Sequence, residues 1–510
     1  MPDPVAIDPA FRALRDTAGS RAADAALSRA AALGATHTDV RLHAVRTAAL
    51  RLRDARVESA SDTEELGLGV RVLVDGTWGF AGGVDVTPEA AVVLAEQAVA
   101  TARVSRSLRG APVILAPEAP VEVEWSSPLA IDPFAVPAAE RLEVLTDLSG
   151  RLLRAGVPHA DVSVDLVREC VFYADSAGTR ATQQRTRVEP SATVMRVDDG
   201  RFSSQRTTTP PLGRGWEAVV GAGEHAPGAA RWDFVADLEQ LPALLEEHAV
   251  APGIEPGRHD LVIDPTNLWL TIHESVGHAT ELDRAVGYEA AYAGTSFATP
   301  DQLGSLRYGS EVMQVVGDRT TPYGLATVAV DDEGVEGQVF DLVRDGLLVG
   351  YQLNRQVAAE YGFGRSNGCA YADSARHIPL QRMANVSLQH SATDTTTADL
   401  IAGVEHGIYV VGDKSWSIDQ QRFNFQFTGQ RFHRIEHGRL VGQVRDLAYQ
   451  GTTTEFWGSL QAVGGRGTWV LGGALNCGKG QPGQVAAVSH GAPAALFTGV
   501  NVLDTSREGA

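Results

Sequence analysis

Apolar positions along this chain change period repeatedly, and each change marks an element. Residues 20–33 carry Ala and Leu at helical spacing, Asp39-Val40-Arg41-Leu42-His43-Ala44 alternates as a strand, and a second strand runs through Leu50-Arg51-Leu52. Residues 66–83 predict a hairpin turning at Asp75-Gly76, followed by a helix from Pro88 to about Arg103. This order, without regular βα alternation, predicts an α+β fold. A shorter echo recurs 122 positions later, where Gly34-Ala35-Thr36-His37-Thr38-Asp39-Val40 aligns with Gly156-Val157-Pro158-His159-Ala160-Asp161-Val162. Each segment follows a helical stretch and precedes strands, so the echo is a candidate internal duplication with His37 and His159 as structural turn residues.

Between residues 205 and 257, Pro210-Pro211-Leu212-Gly213 and Pro252-Gly253-Ile254-Glu255-Pro256-Gly257 bracket a helical stretch around Leu238 to His248. A boundary near residue 255 follows, giving an N-terminal α+β domain (1–255) and a C-terminal domain (256–510). Short runs of Val, Ile, Phe and Tyr separated by Gly, Asp and Asn make the second domain strand-rich and barrel-like.

Chemistry concentrates at the start of that second domain. His259 to Ile263 forms an apolar strand, Asp264 suits a helix cap and Pro265 the first helical position. Leu268, Ile272, Val276 and Ala279 share one helix face, while His273, Glu274 and His278 lie off it. Two imidazoles and a carboxylate within six residues are what a hydrolytic metal site needs. Histidines four apart differ by roughly 40° around a helix, but five apart by roughly 140°, too far to share an ion. The spacing therefore predicts a distorted turn at Gly277, as an i→i+5 widening or an early break. A further donor, Cys477, stands in the glycine-rich segment Gly472 to Gln484, which predicts a tight loop able to approach another backbone closely. Glu281 and His490 compete with it for the third ligand position. Cys170 and Cys369 have no such setting and are expected to be buried free thiols.

These segments resemble the TldD/PmbA metallopeptidases, a family once described as modulators of DNA gyrase. The resemblance extends over nearly the whole chain: Gly67-Leu68-Gly69-Val70-Arg71, Gly76-Thr77-Trp78-Gly79-Phe80, Val330-Asp331-Asp332-Glu333-Gly334, Asp345 to Tyr351, Ser366-Asn367-Gly368 and Arg382-Met383-Ala384-Asn385. It implies one Zn2+ held by His273, His278 and Cys477, with Glu274 as general base toward zinc-bound water and amide hydrolysis without a covalent intermediate. It also implies unfolded or extended polypeptides as substrates, including leader peptides and antitoxins, and a heterodimer with a metal-free paralogue. Two other classes stand beside this one: the noncatalytic binding subunit of such a pair, which would lack the ligands, and a regulator acting indirectly on DNA gyrase.

Composition narrows the field. With 510 residues, 44% hydrophobic and 21% charged, the chain can bury two substantial cores. Three cysteines are too few for a disulfide framework, no basic-then-apolar leader opens the sequence, and no apolar run approaches the roughly 20 residues that span a bilayer, so a cytoplasmic enzyme is expected. A net charge of −20, from 63 acidic and 43 basic residues, disfavours direct nucleic-acid binding. Arg422, Arg431 and Arg434 alternate with Phe423, Phe425, Phe427 and Phe432, which predicts an exposed strand face opposite a buried one.

Overall fold

A computed structural model describes residues 6–108, 110–198, 200–221 and 232–506. The N-terminal half is one seven-stranded sheet carrying helices. Helix α1 (Ser20–Ala32) leads into β1 (His37–Arg53), β2 (Arg56–Val74) and β3 (Thr77–Gly83), then α2 (Pro88–Ser105) and β4 (Glu122–Ser126). Helix α3 (Ala138–Arg154) then leads into β5 (His159–Asp175), β6 (Arg180–Asp198) and β7 (Arg201–Arg206), followed by α4 (Phe234–Val250). The two short strands expected at 39–44 and 50–52 are one continuous β1, because pairing with both β2 and β5 holds the stretch between them extended. Asp75 (φ 49°) and Gly76 (φ 71°) make the expected hairpin turn.

The sheet runs β3-β2-β1-β5-β6, with β4 and β7 both on the far side of β6. Its two halves repeat one plan, helix, long strand, longer strand, short strand and helix, and the first strands of the halves pair antiparallel at the centre. Gly34 and Gly156 both take left-handed φ, 91° and 92°, to end the leading helices, so the sequence echo is a shared helix-to-strand turn. His37 is buried near Asp39, and His159 is exposed against Asp54.

The C-terminal half closes five strands into a barrel: β8 (Gly257–Ile263), β9 (His406–Ile418), β10 (Asn424–Glu436), β11 (Leu447–Thr452) and β14 (Ala495–Asp504). Before β14 runs a separate hairpin of β12 (Val470–Lys479) and β13 (Gln484–Ala492). Helix α5 (Pro265–Ile272) follows β8, with Asp264 accepting from the Thr266 amide at 3.0 Å and Pro265 at the first position. All eight of its residues are buried, not one face alone. Leu268, Ile272, Val276 and Ala279 share a core with Val410, Phe427 and Phe497 of the barrel strands. The helix's inward polar groups are bonded to the barrel: Asn267 donates to the Gly412 and Thr428 carbonyls, and Thr271 meets the Tyr449 hydroxyl at 2.8 Å. Among the described residues, no helix is long and apolar enough to cross a membrane.

Candidate metal centre

At His273 the α-helix gives way to a single π turn over His273–Gly277, in which the His278 amide donates to the His273 carbonyl, and then to a 3-10 turn over His278–Thr280. The extra residue in this turn offsets the five-residue spacing and brings the imidazole centroids within 4.7 Å. Gly277 is favoured here for a different reason from the expected one. Its φ of −53° is ordinary helix, but a Cβ there would lie 2.6 Å from the Met383 sulfur.

Cys477 approaches from β12, not from a loop. Pairing with β13 is irregular between Ala474 and Cys477, and this bulge re-aims the strand so that the thiol faces the helix. Gly472 permits the approach, since a Cβ there would meet the Trp269 ring at 2.4 Å. Sγ lies 3.6 Å from His278 Nε2, and ligand atoms of His273, His278 and Cys477 all lie within 4.8 Å of one another.

The two competitors for the third position hold the histidines from behind. His490 Nδ1 meets the Val386 carbonyl at 2.9 Å and must donate to it, leaving Nε2 to accept from His273 Nδ1 at 2.7 Å. His273 therefore presents a bare Nε2 lone pair. Glu281 meets His278 Nδ1 at 2.8 Å and fixes the same tautomer. Glu281 is itself gripped by Arg284 (3.1 Å) and Lys479 (3.0 Å), which keep it ionised well below the usual carboxylate range despite burial. Burial, aided by Arg284, pushes the His278 imidazole down to about 4, and burial also lowers His273. Both rings are neutral at pH 7, the form that binds a metal. Burial resists ionisation of the Cys477 thiol, but His278 and Arg382 overcome it and bring it below the ordinary thiol value. Arg382, in the Arg382-Met383-Ala384-Asn385 segment, donates to the Cys477 carbonyl.

Glu274 is buried beside this cluster, and its Oε2 accepts from Arg422 Nη1 at 2.7 Å. The expectation for the arginines therefore holds only for Arg434, which is exposed; Arg431 is buried and Arg422 points inward to Glu274. Arg422 takes left-handed φ (62°) because Asp419 accepts from the amides of Gln421, Phe423 and Asn424 and turns the chain there. An Asp-x-x-x-Phe-Asn turn was the only sequence signal available for it. Cys170 and Cys369 are buried free thiols as expected, burial pushing both up to about 12.

Residues 256–504 match the PmbA/TldA metallopeptidase C-terminal domain, and residues 38–102 match domain 1 of the same family. The chain belongs to the TldD/PmbA metallopeptidase family. A metalloprotease of Methanothermobacter thermautotrophicus is 27% identical over 461 residues, spanning 90% of this chain and 93% of the relative. A zinc metalloprotease TldD homolog of Saccharolobus solfataricus is 25% identical over 234 residues, 45% of this chain and 50% of the relative. Among solved structures, TldE from Thermococcus kodakarensis superposes with TM-score 0.68 at 15% identity, over 94% of this chain and 99% of that one, a likeness of fold.

Proposed function

We propose that this TldD/PmbA chain is a zinc peptidase of the HExxxH type acting on unfolded or extended polypeptides, with the chemistry in a C-terminal domain of residues 256–510 and residues 1–255 as its α+β partner domain. The observation that carries this reading is the convergence of His273, His278 and Cys477, each buried, with both histidines oriented from their outer nitrogens. Two neutral imidazoles and a thiol of lowered pKa are a donor set suited to zinc, and three protein ligands leave a fourth position for catalysis. Zinc held there would supply Lewis acidity to a scissile carbonyl and to a water molecule.

The chain's own groups handle the proton. Arg422 occupies Glu274 Oε2, leaving Oε1 to take a proton from the attacking water and return it to the departing amine nitrogen. Cys477 lines a cleft of about 540 Å³ together with Glu274 and Gly473 to Gly478 of β12. A polypeptide must be extended to enter it and lie along that strand. A noncatalytic subunit would have no use for the retained ligands and base, so we assign this chain the catalytic role, with a metal-free paralogue as heterodimer partner in the cytoplasm.

Purified protein, with the paralogue if needed, is expected to hold about one zinc per chain and to cleave peptide libraries only without chelator, read by mass spectrometry. Cys477→Ala should lower metal occupancy, whereas Glu274→Gln should keep the metal and lose turnover. Full occupancy in the cysteine variant, or wild-type turnover in the glutamine variant, refutes the respective role.

A further inference from the structure

The metal-side cleft continues to residues that the chemistry does not use. Its far wall is made by the middle of β6, the end of β7 with the segment after it, and β9, where Glu189, Arg206 and Asp413 respectively line the same cavity as Cys477 and Glu274. Glu189 is half-buried, and among the described residues its carboxyl has no hydrogen bond and no ion pair.

Its neighbours do not neutralise it. Across the antiparallel pair β5–β6, Glu189 stands directly opposite Asp165. Like charges facing each other across strands oppose folding. Two arginines are near, but each is committed elsewhere: Arg51 to Asp165 at 3.0 Å and Arg206 to Asp413 at 2.9 Å. Three carboxylates therefore face two guanidinium groups, and Glu189 holds the uncompensated charge. Glu274, the other carboxylate lining the cleft wall near the metal cluster, already has Arg422.

We propose that Glu189 is a specificity-determining residue that receives a cationic group of the bound polypeptide, a Lys or Arg side chain or a free amino terminus. This inference rests on the reading of the cleft as a polypeptide site and names the substrates it favours. Burial, with Asp165 and Asp413 adding to it and Arg206 and Arg51 opposing, pushes the Glu189 carboxyl up to about 7. A raised carboxyl is neutral below that pH and charged above it, so selection for cations strengthens as the pH rises through neutrality.

The test is direct binding, independent of cleavage. Fluorescently labelled unstructured peptides, identical except for one position scanned as Lys or norleucine with an acetylated terminus, are titrated against the full-length chain and against Glu189→Gln. A third arm leaves the terminus free and carries no Lys, which separates the two sources of the cation. The expected result at about pH 8 is roughly tenfold tighter binding of one cationic arm than of the neutral peptide, the size of one favourable charge pair. That preference should disappear in Glu189→Gln and in the wild type at about pH 5.5. Glu189→Gln removes the repulsion from Asp165, so its thermal midpoint should equal or exceed that of the wild type, confirming that the variant is folded. An equal preference in both proteins, no preference in the wild type, or no binding of any peptide overturns the inference. Selective binding without cleavage of any peptide, once zinc and the paralogue are supplied, would uphold it and refute the peptidase reading instead.

Discussion

At the scale of single residues, the centre divides into groups that would touch a metal and groups that aim them. His490→Ala removes the acceptor that fixes the His273 tautomer and leaves the Nδ1–H buried without a partner. Losing an orienting partner of this kind weakens metal affinity by about 10–100-fold, and competition with a chromogenic chelator would measure it. An unchanged affinity would mean that helix packing alone orients His273. Arg422→Ala acts on the base instead: metal content should stay, while turnover falls by about 10²-fold or more as Glu274 loses its anchor. Partial recovery in Arg422→Lys, with KM little changed in both variants, would separate positioning from general damage. The sequence made the candidate site residues legible because histidine, glutamate and cysteine announce their chemistry by type. It left Glu281 and His490 as rival ligands because a type and a spacing do not say which nitrogen of a ring a neighbour occupies. Arg422 was hidden further, since alternation along a strand predicts an outward arginine and the Asp419 turn reverses it.

At the scale of elements, the need for a distorted turn was legible and its cause was not. Spacing alone demanded an extra residue in the turn, and the helix supplies it as one π turn ending at Gly277. The demand for glycine comes from the Arg382-Met383-Ala384-Asn385 segment, more than a hundred residues away in sequence and invisible to any local pattern. Gly277→Ala places a methyl 2.6 Å from the Met383 sulfur. Such overpacking costs about 1–3 kcal/mol, measurable as a shift in the urea midpoint, and it should lower zinc occupancy by separating the two imidazoles. Pairing it with Met383→Ala should return part of the occupancy, although the second change opens a cavity. No recovery would assign the defect to the backbone and not to that contact. The β12 bulge escaped the sequence for a related reason: glycines signalled close approach, and only the register against β13 shows that a strand, not a loop, makes it.

At the scale of the whole molecule, the acidic count suggested a solvated surface, yet part of that charge is buried where the two halves meet. Arg71 of β2 reaches Asp39 at 2.8 Å and, 262 residues along the chain, Glu333 at 3.0 Å, while Arg41 meets Asp332 at 3.3 Å. All five side chains are buried. The resembling segments Gly67 to Arg71 and Val330 to Gly334 thus face each other across the junction, a pairing that no local pattern in either could reveal. Removing one partner strands the others without water, so Arg71→Leu should cost about 3–5 kcal/mol and loosen the N-terminal sheet from the barrel, seen as separate unfolding transitions in calorimetry. The same junction sets an acid limit. Burial opposes the charge on Asp39, but Arg71 and His37 hold its carboxyl below the ordinary value, and Glu169 is held well below by Arg185 and Arg187 in the same way. Carboxyls depressed in the fold stabilise it above their unfolded pKa, and that contribution is lost as the pH falls through the folded value. Stability should therefore be flat near neutrality with respect to these groups and fall steeply only below about pH 4. Arg71→Leu should make that fall shallower, since the Asp39 carboxyl, no longer held down by Arg71, would bind its proton within the fold at higher pH and so lose less stability on acidification. An acid limb of unchanged steepness in the variant would show that the junction is held by packing, with its charges balanced but not stabilising.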